Sequence, residues 1–341
     1  MSVDATPSLK QGFIFRPATP ADIPAMADLL NLHWEPLLGV RKITSADLEV
    51  SMNMLGFSMA DSVRLIQSPQ GQPVGVMVVS DLDNPPVHPN LTGCVHPNFE
   101  RQGFGSALIE WGEGRARQAI ARVPDGLRVS MAMGTVPTHL PSVRLFEKMG
   151  LHSVRYSFLM VKDLSEPSPQ PVWPEGLVLR TYLENPDLRS FYRATIEAFM
   201  DHWGFTKGNE DERLARWRHR LEHDESIDPS LWFMVMDGEQ IAATSRCAPT
   251  TGEDQNMGFV ETLAVRRPWR RQGLALNLLY HIFAEFTHRG KQRVALGVDA
   301  ESLTGATHLY EKAGMVVASQ MAQYEKVLRP GEELSTQAIA E

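Results

Sequence analysis

The chain has 341 residues, 33 Lys and Arg against 41 Asp and Glu, a formal net charge of −8 at pH 7, and 43% apolar residues. That length exceeds what one hydrophobic core normally serves, so a soluble globular protein of two domains is expected. The net negative charge opposes binding to a polyanion, which argues against a nucleic-acid partner. Two cysteines, Cys94 and Cys247, are too few for a disulfide scaffold and read as buried strand residues in a reducing, cytoplasmic compartment. The opening MSVDATPSLKQGF lacks an export pattern, and no stretch approaches the roughly 18 apolar residues that span a bilayer, so no membrane partner is expected. The histidines are scattered and form no cluster at ligand spacing, so no metal site is expected.

In chain order, Phe13 to Pro17 reads as extended and Pro20 to Leu37 as an amphipathic helix. Arg64 to Gln67 and Pro73 to Ser80 read as strands, Leu91 to Val95 as a strand entering a glycine-containing turn, and Gly105 to Ala121 as a helix. A strand (Leu127 to Met133), a helix ending at Gly150 (Val143 to Met149) and a further strand (Ser153 to Val161) close this half. Asp163 to Gly176 then breaks the pattern: Pro167, Pro169, Pro171 and Pro174 stand among polar residues and read as a linker.

Beyond it the order repeats. Extended Leu177 to Tyr182, helical Asn185 to Phe199, and strands Leu231 to Met236 and Gln240 to Arg246, joined by the hairpin signal Asp237-Gly238, lead to strand Gly258 to Val265 and helix Leu274 to His288. Arg293 to Val298, Thr304 to Ala313 and Val316 to Lys326 repeat the strand, helix, strand ending. Phe146-Glu-Lys-Met-Gly150 recurs as Tyr310-Glu-Lys-Ala-Gly314, and Arg101-Gln-Gly-Phe-Gly105 as Arg271-Gln-Gly-Leu-Ala275, so one plan is used twice. Such alternation predicts an α/β (α+β) chain whose two halves each hold a mixed, mainly antiparallel sheet flanked by helices.

The strand-turn-helix of the second half reads Phe259-Val-Glu-Thr-Leu-Ala-Val265, then Arg-Arg-Pro-Trp-Arg-Arg-Gln-Gly-Leu-Ala275. Free N–H groups at a helix start, together with Gly273, form a cradle for a phosphate. Arg266, Arg267, Arg270 and Arg271 make a basic patch in an acidic chain, which by charge alone reads as a solvated turn and otherwise as a site for a small anion.

Arg270-x-x-Gly273-x-Ala275, followed by Leu309-Tyr310-Glu311-Lys312-x-Gly314, resembles the GNAT (general N-acetyltransferase) superfamily, and the tandem plan resembles its mycothiol synthase branch. The resemblance covers nearly the whole chain. It implies two GNAT-like domains, at 1–162 and 177–328, on either side of linker 163–176; the tail at 329–341 is polar, opens with a Pro-Gly step and is expected to be mobile. The resemblance implies acetyl-CoA as acyl donor, wedged where strands Glu261 to Val265 and Arg293 to Val298 splay apart. Backbone groups of Leu263 and Val265 would pair with the pantetheine arm, and Arg270, Arg271, Gln272, Gly273, Leu274 and Ala275 would hold the pyrophosphate. Tyr310 takes the place of the family's general acid.

An acceptor amine must also lose a proton, for which Glu261 is the candidate base, with Asp299 competing. Asp201 and His202, after the helix ending at Phe199, are candidates for binding a cationic acceptor. The first half departs from the pattern: Phe146 replaces the tyrosine, and Glu100 begins the loop where a carboxylate repels a pyrophosphate. The first domain is therefore expected to be degenerate and the second to transfer an acetyl group to the amine of a small molecule within a ternary complex. A mycothiol synthase-like acetylation of a cysteinyl pseudo-disaccharide is the nearer alternative, although Ser302 stands where relatives often place Asn. A non-enzymatic acetyl-CoA sensor is the more distant one. A monomer, with its domains as a pseudo-dimer, and a homodimer are both compatible with the sequence.

Overall fold

The computed structural model describes residues 9–39, 43–252, 254–302 and 305–337. They form two compact units, Met1–Arg155 with Met321–Leu334, and Tyr156–Gln320 with Ser335–Glu341. These units do not coincide with the sequence halves, because each takes a closing strand from the other half.

In the first unit, β1 (Ile14–Pro17), β2 (Val63–Gln67), β3 (Pro73–Ser80) and β4 (Asn90–Val95) pair antiparallel in succession. β4 meets β5 (Val129–Thr135) in parallel, and β5 pairs antiparallel with the end of β12 (Val316–Arg329), from Ala322 to Arg329. Helices α1 (Ile23–Leu38), α2 (Ser45–Met52) and α3 (Met59–Ser62) precede β2, while α4 (Phe104–Ala116) follows β4 and α5 (Leu140–Lys148) follows β5.

The second unit repeats this with β7 (Leu177–Thr181), β8 (Trp232–Asp237), β9 (Gln240–Ala248), β10 (Met257–Val265) and β11 (Arg293–Asp299). Its closing strand comes from the other half: β11 pairs antiparallel with β6 (His152–Asp163) from Ser157 to Asp163. Helices α6 (Leu188–Phe199) and α7 (Glu210–His223) precede β8, α8 (Leu274–His288) follows β10 and α9 (Ala306–Lys312) follows β11. The exchange corrects the boundaries expected at 162 and 177. Period-two patterning identifies which face of a strand is buried and carries no information about which neighbour it pairs with.

Each sheet is covered because its helices carry apolar stripes at helical spacing. In α8, Leu274, Leu278, Leu279, Ile282, Phe283 and Phe286 are buried against Phe233, Val235, Val260 and Val294 of the strands. Each such side chain contributes about 1.5–3 kcal/mol of transfer free energy. On the other side of the same sheet, Phe191, Tyr192 and Leu214 of α6 and α7 pack with Trp232 and Met234. Helix α7 escaped the sequence reading because its run EDERLARWRHRLEH is mostly charged, with a thin apolar stripe of Leu214, Trp217 and Leu221 of which only Leu214 is fully buried. Both cysteines are buried in strands, and burial pushes each thiol up to about 12.

The proline-rich segment is docked rather than free. Asn277 of α8 accepts from the Val172 amide at 2.9 Å and donates to the Val172 carbonyl at 2.8 Å, and Trp173 packs on the core. The expected mobile tail is likewise tied down over 330–337. Glu332 bridges in parallel to Leu127, and Thr336 exchanges backbone hydrogen bonds with Gly204 and Phe205 at 2.8 Å. Residues 338–341 lie outside the described residues.

Strand β10 passes so close to α8 that a Cβ on Gly258 would sit 2.3 Å from the Phe286 ring. Gly258→Ala is therefore expected to destabilise the protein by about 2 kcal/mol, read as a lower denaturant midpoint at unchanged slope.

Candidate functional site

In the second unit, β10 and β11 pair in parallel only from Met257–Arg293 to Val260–Leu296. Beyond that point β10 keeps its antiparallel partner β9, but the register shifts between Val260 and Thr262, so Glu261 occupies a bulge. A bulge bends its strand and re-aims the residues after it. The Arg266 amide bonds to the Ala242 carbonyl, and bonds to β9 alternate along an antiparallel ladder, so the backbone groups of Leu263 and Val265 turn away from β9. These are the residues expected to pair with an extended arm, and they face the side where β11 has separated.

The chain then makes a short 3-10 turn, Arg267–Trp269, and enters α8 through Gly273. Arg271 has φ 64° and Gly273 φ 81°; in the first unit Arg101 has φ 57° and Gly103 φ 88°. A non-glycine residue in the left-handed region costs energy and persists only where its surroundings fix it, so the same strained turn in both units marks one loop geometry used twice. The first intrahelical bond of α8 is from the Asn277 amide to the Gly273 carbonyl, which leaves the amides of Leu274, Ala275 and Leu276 at the helix start for a ligand.

The basic patch is largely committed to the protein itself. Arg266 pairs with Glu197 at 2.9 Å, Arg270 pairs with Asp201 at 2.6 Å, and Arg267 bonds both Asp201 oxygens. Arg270 also donates to the carbonyls of Val265 at 3.0 Å and Ala198 at 3.1 Å. It therefore staples the end of β10 to the end of α6, while Arg271 makes no side-chain hydrogen bond or ion pair among the described residues. Gln272 donates to the Pro268 carbonyl within the loop at 3.3 Å.

Asp201 is buried at 2% exposure, and the Arg267 and Arg270 hydrogen bonds hold its carboxyl at about 2. The carboxylate that the sequence offers to a cationic acceptor is thus the anchor of the loop arginines. The His202 ring lies tilted against Phe199, with centroids 4.4 Å apart, and burial lowers its pKa. Tyr310 is buried in the core at 8% exposure, its hydroxyl makes no hydrogen bond among the described residues, and burial pushes the phenol up to about 12. Glu261 is 26% exposed, and its nearest charged partner is Arg246, 3.7 Å away. The sequence reading missed Arg246; its available signal was a lone arginine in the apolar run of β9.

The first unit repeats the opening. β4 and β5 pair at Asn90–Ala132 and separate beyond it, leaving a cleft of about 600 Å³ lined by β4, the Glu100–Gly105 loop and α5. Arg101, Arg144 and Lys148 line it with Glu100, so the carboxylate expected to repel a pyrophosphate is outweighed by cations. Phe146 lines the cleft and meets Tyr324 edge-on at 5.4 Å, presenting a ring without a hydroxyl. His33, with a pKa lowered to about 4 by burial and by neighbouring His139, is neutral at pH 7 on the same wall.

A bulged strand splaying from its parallel neighbour, a turn with two left-handed residues and a helix start aimed at the opening define an acyl-CoA transferase architecture. Residues 26–151 and 178–315 both match the Acetyltransferase (GNAT) family, and the chain belongs to it as an N-acetyltransferase. Among curated relatives, the mycothiol acetyltransferase of Thermobispora bispora is 29% identical over 64% of this chain and 70% of its own length. That of Salinispora arenicola is 29% identical over 72% and 76%. A GCN5-related N-acetyltransferase from Sphaerobacter thermophilus superposes with a TM-score of 0.79 at 31% identity, covering 97% of this chain and 100% of that one. A tandem GNAT protein from the clavulanic acid biosynthesis pathway shares the fold at 15% identity and a TM-score of 0.67, over 94% and 100% of the two chains.

Asp201 is ionised in the fold to a lower pH than in the unfolded chain, so its contribution to stability is complete above about pH 4 and is lost as pH falls toward 2. Asp201→Asn is expected to lower the denaturant midpoint at pH 7 and to flatten its fall between pH 5 and pH 3. A wild-type profile in the variant would remove the clamp.

Proposed function

We propose that the second unit transfers an acetyl group from acetyl-CoA to the primary amine of a small molecule by direct attack in a ternary complex, with Tyr310 and Glu261 as its catalytic groups. The observation that carries this reading is the coincidence, in one unit, of the separated β10 and β11, the strained loop at Arg271 and Gly273, and an unbonded tyrosine hydroxyl on α9. The fit to the donor rests on chemistry already present: unpaired amides at the start of α8 and the side chain of Arg271 for the pyrophosphate, and the outward backbone groups of Leu263 with the Val265 amide for an amide-bearing arm, the Val265 carbonyl being held by Arg270. Leu274, Ala275 and Gln272 shape the loop, and Arg270 holds it in place by its bonds to Asp201 and Val265.

Acetylation of an ammonium group releases two protons. The first must leave before attack, and Glu261, on the bulge beside the opening, accepts it directly or through water. The second leaves the nitrogen as the amide forms and ends on the departing sulfur. A phenol at about 12 is uncharged at neutral pH and stands above a thiol, whose reference value is about 8.5. Complete transfer from Tyr310 alone is therefore uphill; its hydroxyl acts by donating a hydrogen bond to the sulfur as charge develops, and passes on a proton that the amine replaces.

The first unit carries the same opening without this hydroxyl, and in our reading it binds without turning over. The name shared by the curated relatives makes formation of mycothiol the second reading, since the similarity extends over more of the chain than a single repeat.

Tyr310→Phe is expected to bind acetyl-CoA as the wild type does while its kcat for amine-dependent thiol release falls about 100-fold. An unchanged kcat would take Tyr310 out of the reaction.

A further inference from the structure

Arg246, on β9, is the most exceptional charged group of the second unit. Its side chain is 14% exposed and lies beside two aromatic rings, its Cζ 4.0 Å from the Trp217 centroid and 5.5 Å from that of Trp232. No guanidinium nitrogen makes a hydrogen bond among the described residues: Nε is buried without a partner, and Glu261 Oε2 lies 3.7 Å from Nη2, beyond bonding range. Buried guanidinium groups in folded proteins are normally bonded, commonly by a carboxylate that takes both prongs of the fork. Here the rings supply part of the compensation, while the fork itself makes no hydrogen bond among the described residues.

The surroundings say what the fork takes. Arg220 adds a positive influence on Arg246 although it pairs with Asp224 at 3.1 Å, and among the described residues the carboxylate acting on Arg246 is that of Glu261. Nε is sealed, whereas the terminal nitrogens keep access to solvent, so an anion approaches end-on to Nη1 and Nη2. Its neighbour at that position is Glu261. A fork for an anion beside a group that attracts an ammonium is the arrangement that recognises a zwitterion, with the carboxylate on one and the amine on the other.

We propose that the acceptor is an amino acid or a close analogue, whose carboxylate binds the Arg246 fork between Trp217 and Trp232 and whose amine is thereby delivered to Glu261. This assignment rests on the reading of Glu261 as the group that receives the amine's proton. Arg246 is in this account a specificity-determining residue. A bidentate site left unfilled by an analogue lacking the carboxylate rejects that analogue strongly, because a desolvated charge then stays unpaired.

The test uses the full chain, a panel of amino acids and their carboxamides, and two readouts: acetyl-CoA-dependent thiol release, and the intrinsic fluorescence change on adding each acceptor, to which Trp217 and Trp232 report without turnover. In the wild type at least one amino acid is expected to exceed its carboxamide by 30-fold or more in kcat/KM, on the order expected for a lost charged partner. Arg246→Gln raises KM for the amino acid by a comparable factor, so that its advantage over the carboxamide collapses toward one; Arg246→Lys, which keeps the charge and loses the fork, falls between wild type and Arg246→Gln. Amino acids and carboxamides used or bound equally, an equal loss for both in Arg246→Gln, or no fluorescence response to any amino acid at 10 mM would overturn the proposal. Glu261→Gln separates the two readings. It lowers kcat for every acceptor if Glu261 receives the proton, and leaves kcat unchanged with the carboxylate preference intact if only that role is wrong.

Discussion

Two parallel strands that start paired cannot separate without leaving one column of backbone donors and acceptors unbonded, and buried groups of that kind must find another partner. In this chain the separation is built in twice, after Val260–Leu296 and after Asn90–Ala132. The bulge at Glu261 sets where it begins in the second unit, because the extra residue re-aims Leu263 and Val265 while β9 keeps β10 anchored on its other edge. Every other feature of the site depends on this geometry. The loop after β10 lies at the mouth of the gap, the start of α8 points its amides there, and α9 follows from the far strand.

Charge is distributed to keep that mouth in shape. Of the four neighbouring arginines, three are satisfied by Glu197 and Asp201 and serve to join the loop to α6, so the patch that reads as an anion site is chiefly structural. Recognition of a phosphate then rests on backbone amides and Arg271. The opposite situation holds at Arg246, where a largely buried guanidinium has aromatic neighbours but no bonded acid among the described residues. One group of arginines has been neutralised to build the loop, and the other has been left with its hydrogen-bonding capacity free beside Glu261.

Much of the architecture was legible because it repeats. Strand Pro73–Ser80 and helix Leu274–His288 fall where their periodicity and flanking residues place them, and Gly150 and Gly314 end their helices with φ of 79° and 85°. The strained residues Arg101 and Arg271 were not legible, since nothing in arginine's chemistry announces a left-handed backbone. Nor was the exchange of β6 and β12, because two similar amphipathic strands compete for the same kind of edge. For the site, the loop and Tyr310 were named from motif and order, whereas the role of Asp201 depends on contacts with residues more than sixty positions away. Arg246 was missed for a related reason: its neighbours Trp217 and Trp232 lie on a different helix and strand, brought together only by the fold.

The central claim is that both openings have the same form but only the second supports chemistry. Paired loop variants, Gly103→Glu and Gly273→Glu, place a side chain and a negative charge on backbones held at φ of 88° and 81°, one in each unit. The decisive measurement is acetyl-CoA-dependent thiol release by the two variants under identical conditions. The account predicts that Gly273→Glu abolishes turnover and that Gly103→Glu retains it; loss of turnover in Gly103→Glu with full activity in Gly273→Glu would contradict it.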